Sequence, residues 1–182
     1  MAAHGVDVFD KTLQTTHIWL NELADTIGPD RHVAWHVLSA VLRTLRDRMP
    51  LDLAAHLGSQ LPLLVRGAYY DQWVPARQPE RGRSLDDFLH SVGEKVSDTR
   101  PVNVRDETQA VFHILSRHID RGQTEKVIHA MPEPVRNLWL GGSTPEGERQ
   151  PSQAETRVGP YRAGRAGWPP WLRVRIRPPR VS

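Results

Sequence analysis

The feature that most constrains this chain is a segment that occurs twice. Residues 40–69 align with residues 110–139 at a constant offset of 70 residues and without a gap. No catalytic acid, base or nucleophile is common to the two copies, whereas the apolar positions recur, and this is typical of a duplicated helical packing unit. The recurring pairs include Ala40 and Ala110, Val41 and Val111, Leu45 and Leu115, Pro62 and Pro132, Val65 and Val135, Arg66 and Arg136, and Tyr69 and Trp139.

Apolar periodicity divides the chain into two sets of helices. Each set reads as two longer helices followed by two short ones, over about residues 5–70 and about residues 84–140. Between them, residues 71–83 contain two prolines, a glycine and three arginines, a composition that predicts a connecting loop. No stretch of this body alternates as a strand would. The predicted fold is therefore an all-α helical bundle of two related four-helix repeats.

Helix ends can be predicted from capping residues, prolines and glycines. In the first helix we expect one apolar stripe through Phe9, Leu13, Leu20, Leu23 and Ile27, with Trp19 off the stripe. The residues expected to start helices are Asp7 or Asp10, Asp30, Asp52, Pro62, Ser84 together with Asp87, Asp106, Thr124 and Pro132, and those expected to end them are Pro50 and Gly122.

Composition excludes several classes of protein. The chain has no cysteine, so disulfides, thiolate chemistry and cysteine-based zinc sites are excluded, and a reducing compartment is consistent with this. No segment has the roughly 18 consecutive apolar residues of a membrane-spanning helix. The first residues show no basic stretch followed by an apolar one, as a secretory signal would. We expect a cytoplasmic protein.

The C-terminal segment differs sharply in composition from the rest. Residues 141–182 hold eight arginines, no lysine and three glutamates, a net charge of +5, whereas the whole chain has +3. The predicted helical domain, residues 1–140, therefore carries −2. Seven of the fifteen prolines and six of the thirteen glycines also lie in residues 141–182, which contain few aliphatic residues. Such a segment cannot bury enough apolar surface to fold, so a disordered basic tail is predicted.

The end of this tail could bind nucleic acid. Arginine attracts phosphate and tryptophan stacks on bases, the usual ingredients of attachment that does not depend on sequence. Two other interpretations compete: an ordinary disordered end, or the product of a reading-frame change in a GC-rich gene. The candidate nucleic-acid contacts are Trp168, Trp171, Arg173, Arg175 and Arg177.

Three strings in the body also resemble a known family. They are FDKTLQTTHIWLNELADTIG, DRHVAWHVLSAVLRTLRDRMPLDLAAHLGSQLPLLVRGAYYDQW and AVFHILSRHIDRGQTEKVIHAMPEPVRNLW. Over about residues 5–140 the chain resembles the bacterial family known as domain of unknown function 2267. The resemblance implies a helical protein with two related halves. It supplies no established activity, cofactor or catalytic residue.

Histidines suggest the first enzyme-like hypothesis. His32 and His36 are four residues apart on one predicted helix, which places both imidazoles on the same face. A third ligand is lacking, and so is the glutamate of a zinc-protease motif, so we interpret them as surface histidines. His113 and His118 are five apart and point to different faces. No serine lies in a glycine elbow and no glycine-rich phosphate loop is present, so we predict no cofactor, metal site or catalytic residue.

An arginine and aromatic cluster is the candidate interaction surface. Helical spacing brings Arg66, Tyr70 and Trp73 near one another, and this composition is enriched in interface hot spots. Tyr69 aligns with Trp139 and could instead pack between helices.

The sequence thus favours a non-catalytic interaction or adaptor module that binds another protein or a second copy of itself. One alternative is a nucleic-acid-associated protein that binds through its tail, and a weaker one is a small-ligand or metal-binding enzyme. The partner, the oligomeric state and a pocket between the two halves stay open.

Overall fold

The structure is a computed structural model, and it describes residues 4–80, 82–96 and 103–141, with side chains from Asp7 onward. These residues form α-helices, one turn of 3-10 helix at Pro75–Arg77 and no strand, so the all-α prediction is confirmed. The helices are α1 His4–Ile27, α2 Arg31–Arg48, α3 Leu51–Gln60, α4 Leu63–Tyr70, α5 Leu85–Val96, α6 Val104–His118, α7 Arg121–Ala130 and α8 Glu133–Trp139.

The helix bounds are compatible with the predicted repeats. Helices α3 and α7 have ten residues each and begin 70 residues apart, and α6 ends 70 residues after α2. A proline, Pro62 or Pro132, stands immediately before each of the last short helices, where its missing N–H costs no hydrogen bond. The two halves differ most at their first helices, because α1 has 24 residues and α5 has 12.

The core is built around α2, which packs against α1, α4, α5 and α6. Its apolar face is wide because residues at steps of three and four all lie inward, as expected for a helix covered on several sides. Each fully buried aliphatic side chain contributes about 1.5–3 kcal/mol of transfer free energy. The largest fully buried side chains are Tyr69, Phe88, Phe112, Leu23, Leu38, Leu42, Leu45, Met49, Leu57, Leu61, Leu115 and Met131.

Two predicted helix starts are confirmed by their hydrogen bonds. The Asp30 carboxylate accepts from the backbone N–H groups of His32 at 2.9 Å and Val33 at 3.4 Å. At α5, the Asp87 N–H donates to Ser84 Oγ at 2.9 Å, and the Ser84 N–H donates to Asp87 Oδ2 at 3.4 Å. This reciprocal pair is a capping box.

Other predicted helix starts were wrong. Helix α6 is capped by Asn103, which accepts from the Asp106 N–H, so Asp106 lies in the first turn. Asp120 caps α7 at its N-terminus, which places Gly122 inside α7 and not at the end of α6. In both cases a capping side chain closer to the preceding helix takes the amide groups first. Likewise Pro50 precedes α3 and leaves Asp52 in the first turn, while Asp7 and Asp10 lie inside α1.

Trp19 was wrongly placed off the apolar stripe of α1. Its side chain is buried, and its ring stacks on His118 with centroids 5.0 Å apart. Glu22 lies beside them, with its Oε2 2.9 Å from His118 Nε2. Helix α1 packs against both α2 and α6, so its buried face is wider than one stripe.

Within the described ranges, no helix is both long enough and apolar enough to cross a membrane. The predicted disordered tail lies, from residue 142 onward, outside the described residues.

Candidate functional site

The first half of α1 carries several apolar side chains that the neighbouring helices leave uncovered. From Asp7 to Thr15 no side chain is buried. Phe9 is 69% exposed and Leu13 is 46% exposed, and Val8 is also exposed. Burial begins at Thr16 and continues through Leu20 and Leu23 in the second half.

The exposed residues continue the buried face of the same helix. Phe9 precedes Leu20 by about three helical turns, and Leu13 precedes it by about two, so all three point to the same side. Helix α1 is about 36 Å long at 1.5 Å per residue, and its neighbours cover only the second half. The sequence correctly put Phe9 and Leu13 on one stripe with the core residues. It could not show that the stripe extends beyond the helices that would cover it.

The structure brings together two of the three residues of the predicted interaction surface. The rings of Tyr70 and Trp73 lie with centroids 5.2 Å apart, and both side chains are partly buried. Trp73 Nε1 donates to Gln78 Oε1 at 2.8 Å, and the Tyr70 hydroxyl is 3.4 Å from the Ala55 carbonyl oxygen. Their polar atoms therefore have partners within the chain, and their role in binding stays a prediction.

Arg66, the third predicted residue, contacts the turn between α3 and α4. Its Nη2 donates to the carbonyl oxygens of Ser59 at 2.8 Å and Leu61 at 3.0 Å. The aligned Arg136 reaches the Met131 carbonyl at 3.3 Å. The recurrence of this arginine in both repeats is the sequence signal for a structural contact of this kind.

Tyr69 packs in the core. Its hydroxyl donates to the Ala54 carbonyl oxygen at 2.8 Å, and burial raises the pKa of this hydroxyl far above its ordinary value. This answers the question that the sequence left open for this residue. The hydroxyl stays protonated and serves as a donor between α4 and α3.

A buried arginine that the sequence did not predict fixes the segment after α4. Arg46 lies on α2, and its Nη1 donates to the carbonyl oxygens of Tyr69 and, at 3.0 Å, Asp71. From the other side, Gln78 Nε2 donates to the carbonyls of Arg46 and, at 2.7 Å, Met49 at the end of α2. Residues 71–80 are thereby attached to α2. A charged residue within an apolar periodicity gives no sign of such burial.

A groove of about 830 Å³ lies between the loop after the 3-10 turn and the joint between α7 and α8. Arg48 lines it, and its Nη2 donates to the Asp87 carbonyl at 3.0 Å and to Ser91 Oγ at 3.2 Å. Burial lowers the pKa of the Arg48 guanidinium, and the nearby carboxylates of Glu80, Asp87 and Asp47 oppose this shift. Its buried cation is thus engaged with α5. The groove is lined by Arg48, Pro79, Glu80, Gly82, Arg83, Ala130, Met131, Pro132, Glu133 and Pro134.

The remaining sequence candidates are the histidines and the residues of the tail. Among the described residues, no three histidines, aspartates or glutamates are grouped as a metal site would require. His118 packs between Trp19 and Glu22, whereas His113 lies on the exposed side of α6. The candidate nucleic-acid contacts lie outside the described residues, and that hypothesis stays a prediction. They are Trp168, Trp171, Arg173, Arg175 and Arg177.

The described residues place the chain in the class of all-helical proteins, with the central helix α2 packed against α1, α4, α5 and α6. The model of the family described as "Uncharacterized conserved protein (DUF2267)" matches residues 16–138, and the chain belongs to this family. The family resemblance that the sequence showed is confirmed. No curated protein matches the chain. The family carries no established activity, so function has to be argued from the surface of this chain.

Proposed function

We propose that this protein is a non-catalytic interaction module that pairs with a second copy of itself through the first half of α1, residues 7–15. The observation that supports this most is the exposure of Phe9 and Leu13 on the same face as the buried Leu20. The exposed part of this apolar stripe extends beyond the helices that bury the rest of it. Covering it with another apolar surface lowers the free energy.

A second copy suits this surface because the stripe is self-complementary. Across a two-fold axis an antiparallel α1 places Phe9 of one copy against Leu13 of the other, and the reverse contact forms by symmetry. The axis passes near residue 11. Lys11 lies on the side of α1 away from the stripe, since it is about half a turn from the line through Phe9 and Leu13. The two lysines therefore do not oppose the pairing.

Charge also favours a protein surface over nucleic acid at this place. Residues 7–15 carry two aspartates and one lysine, a net charge of −1. A surface that binds phosphates would need clustered arginine or lysine. The exposed apolar side chains supply roughly a few hundred Å² from two copies, below the standard interface of about 1,600 Å². The pairing is expected to be weak and transient.

Sedimentation velocity of the full chain over a range of concentrations tests this proposal. The weight-average sedimentation coefficient should rise with concentration, and a chain with Phe9→Ser and Leu13→Ser should keep the monomer value. Leu51→Ser is the matched control, because Leu51 is 49% exposed and lies on α3, away from the stripe. It should associate as the original chain does.

A monomer value at every concentration for the original chain would refute self-pairing. Equal loss of association in the Leu51→Ser chain would show that general surface hydrophobicity, and not the stripe, drives it. Circular dichroism checks that each variant is still helical. Because the substituted side chains are exposed, their effect on stability should be within about 0.5 kcal/mol.

A further inference from the structure

Two histidine side chains converge at the start of α2. His32 and His36 lie in its first two turns, and His32 is exposed while His36 is partly buried. Their Nε2 atoms are 3.2 Å apart and their ring centroids 4.4 Å apart. Sequence spacing predicted only a common face. The structure adds that the same nitrogen of each ring, Nε2, lies within hydrogen-bond distance of its counterpart.

The separation of the two nitrogens matches the edge of a zinc coordination tetrahedron. Zinc binds imidazole nitrogen at about 2.0–2.1 Å, so two such nitrogens on a tetrahedral ion are about 3.3–3.4 Å apart. Adjacent nitrogens on a square-planar copper(II) ion would be about 2.8–2.9 Å apart. The observed 3.2 Å is nearer to the tetrahedral value. The separation of the two nitrogens therefore suits a tetrahedral ion, and binding requires the rings to turn until both Nε2 lone pairs face it.

The tautomers available to the two imidazoles also allow an ion to bind. Without a metal, the neutral pair holds one proton between the two Nε2 atoms, which one ring donates and the other accepts. When both rings carry their proton on Nδ1, both Nε2 lone pairs are available to bind an ion. The change is one of tautomer, and it leaves both rings neutral.

We propose that His32 and His36 form a two-histidine site for a tetrahedral divalent cation of the zinc type, with water in the other coordination positions. The Asp30 carboxylate adds a negative charge at the start of α2, where it accepts from the backbone N–H of His32. The Arg31 side chain and the positive end of α2 act against a cation. Because the described residues supply no third side-chain ligand, the site is weaker than a structural zinc site.

This site is independent of the proposed pairing surface. His32 and His36 follow the C-terminal end of α1, whereas the exposed stripe lies at its N-terminal end. Loss of one function would leave the other unchanged, so the two proposals can fail separately.

Titration of the full chain with zinc chloride, followed by NMR of the imidazole nitrogens and by calorimetry, tests the site. One equivalent of zinc should shift the Nε2 signals of His32 and His36 together. His32→Asn and His36→Asn should each weaken binding by at least about tenfold. His17→Asn is the matched control, because His17 is an exposed histidine on α1, and it should leave this binding event unchanged.

The NMR measurement on the original chain decides the matter even where a variant loses stability. Zinc that shifts other histidines first, or that shifts neither of these rings, overturns the proposal. So does a His32→Asn chain that keeps the original affinity, since that would leave His36 as a single ligand. Magnesium, a hard cation that prefers oxygen ligands, should produce no shift.

Discussion

In both halves a hydrogen bond joins the same pair of aligned positions, but it is made by different groups. In the first half Arg46 on α2 donates to the Tyr69 carbonyl and lies 6.0 Å from the centre of the Tyr69 ring. In the second half the aligned residues are Ser116 and Trp139, and Trp139 Nε1 donates to Ser116 Oγ at 2.8 Å. The second helix of each half takes part, and it supplies the donor from α2 in the first half and the acceptor from α6 in the second. The place of the contact is common to both halves, while its donor and acceptor are not.

Side-chain volume is redistributed between the halves in the same way. Phe112 stands where the first half has Leu42, and its ring stacks on Trp139 with centroids 4.2 Å apart. Conversely, Tyr70 packs over Gly58 in the first half, where a Cβ atom would lie 2.2 Å from the Tyr70 hydroxyl oxygen. The second half has Ile128 and Leu140 at these positions, and Leu140 is 67% exposed. Each half is packed by its own set of large side chains.

The largest effect is expected from breaking the stack in the second half. Phe112→Ala removes a fully buried ring and leaves a cavity beside Trp139, which should lower the free energy of unfolding by about 3–5 kcal/mol. Urea unfolding measures this. Leu64→Ala, on the exposed side of α4, is the control and should change stability by less than about 0.5 kcal/mol. A small loss for Phe112→Ala would show that the second half can repack.

A smaller effect is expected when the second half's residue is placed in the first. Gly58→Ile should cost about 1–3 kcal/mol, because the new side chain occupies the space of the Tyr70 ring. Adding Tyr70→Leu, which completes the second half's pair, should recover part of this loss. The two single variants and the double variant form a cycle. Additive losses would mean that the two positions are not coupled.

The hydrogen bond between Trp139 and Ser116 should contribute less. Trp139→Phe keeps a ring on Phe112 and removes the indole N–H, and it should cost about 0.5–1.5 kcal/mol plus a packing loss. Ser116→Ala removes the acceptor. If the bond matters, the double variant should lose less than the sum of the single variants, and strict additivity in urea unfolding would argue against it.

The smallest effect is expected at the N-terminal caps of α5 and α6. The stability that the α5 cap contributes depends on pH. The side-chain hydrogen bond with Ser84, followed by the backbone hydrogen bond there, lowers the pKa of the Asp87 carboxyl. Its contribution is present above the unfolded pKa of about 3.9 and is lost as pH falls through the lower folded value. Asp87→Asn should therefore weaken the dependence of stability on pH in this acid range, whereas Asn103 at α6 does not titrate. Unfolding curves of the original chain and of Asp87→Asn, recorded from about pH 2.5 to 6, measure this difference in pH dependence.

Burial of apolar residues at helical spacing could be predicted from the sequence. Burial that depends on contacts between segments distant in the chain could not. Val41, Leu45, Val111 and Leu115 were predicted to face inward because they recur at helical steps in both copies, and all four are buried. Arg46 was not predicted, because its burial depends on carbonyl groups that α4 presents only after the chain has folded back.

Helix starts were likewise predicted correctly in some places and wrongly in others. Asp30 and Ser84 were correct because each is the first capping side chain after a clear break in the chain. Asp106 was wrong because Asn103 reaches the same amide groups from an earlier position. For the candidate sites, common faces were predictable, but the uncovered half of α1 and the 3.2 Å separation of His32 from His36 required the packed helices.

The attachment of residues 71–80 to α2 bears on how copies of this protein can associate. Domain swapping requires the segment between two halves to open and extend, so that one half can pack on another molecule. Here the Gln78 amide and the Glu80 N–H, which donates to the Asp47 carbonyl at 2.7 Å, attach that segment to α2. Within the segment, the Trp73 indole holds the Gln78 side chain in place. Opening it would leave the α2 carbonyls without these partners. The connection is thus held in place and does not act as a hinge. Two copies of the protein should therefore associate through their surfaces, without domain swapping.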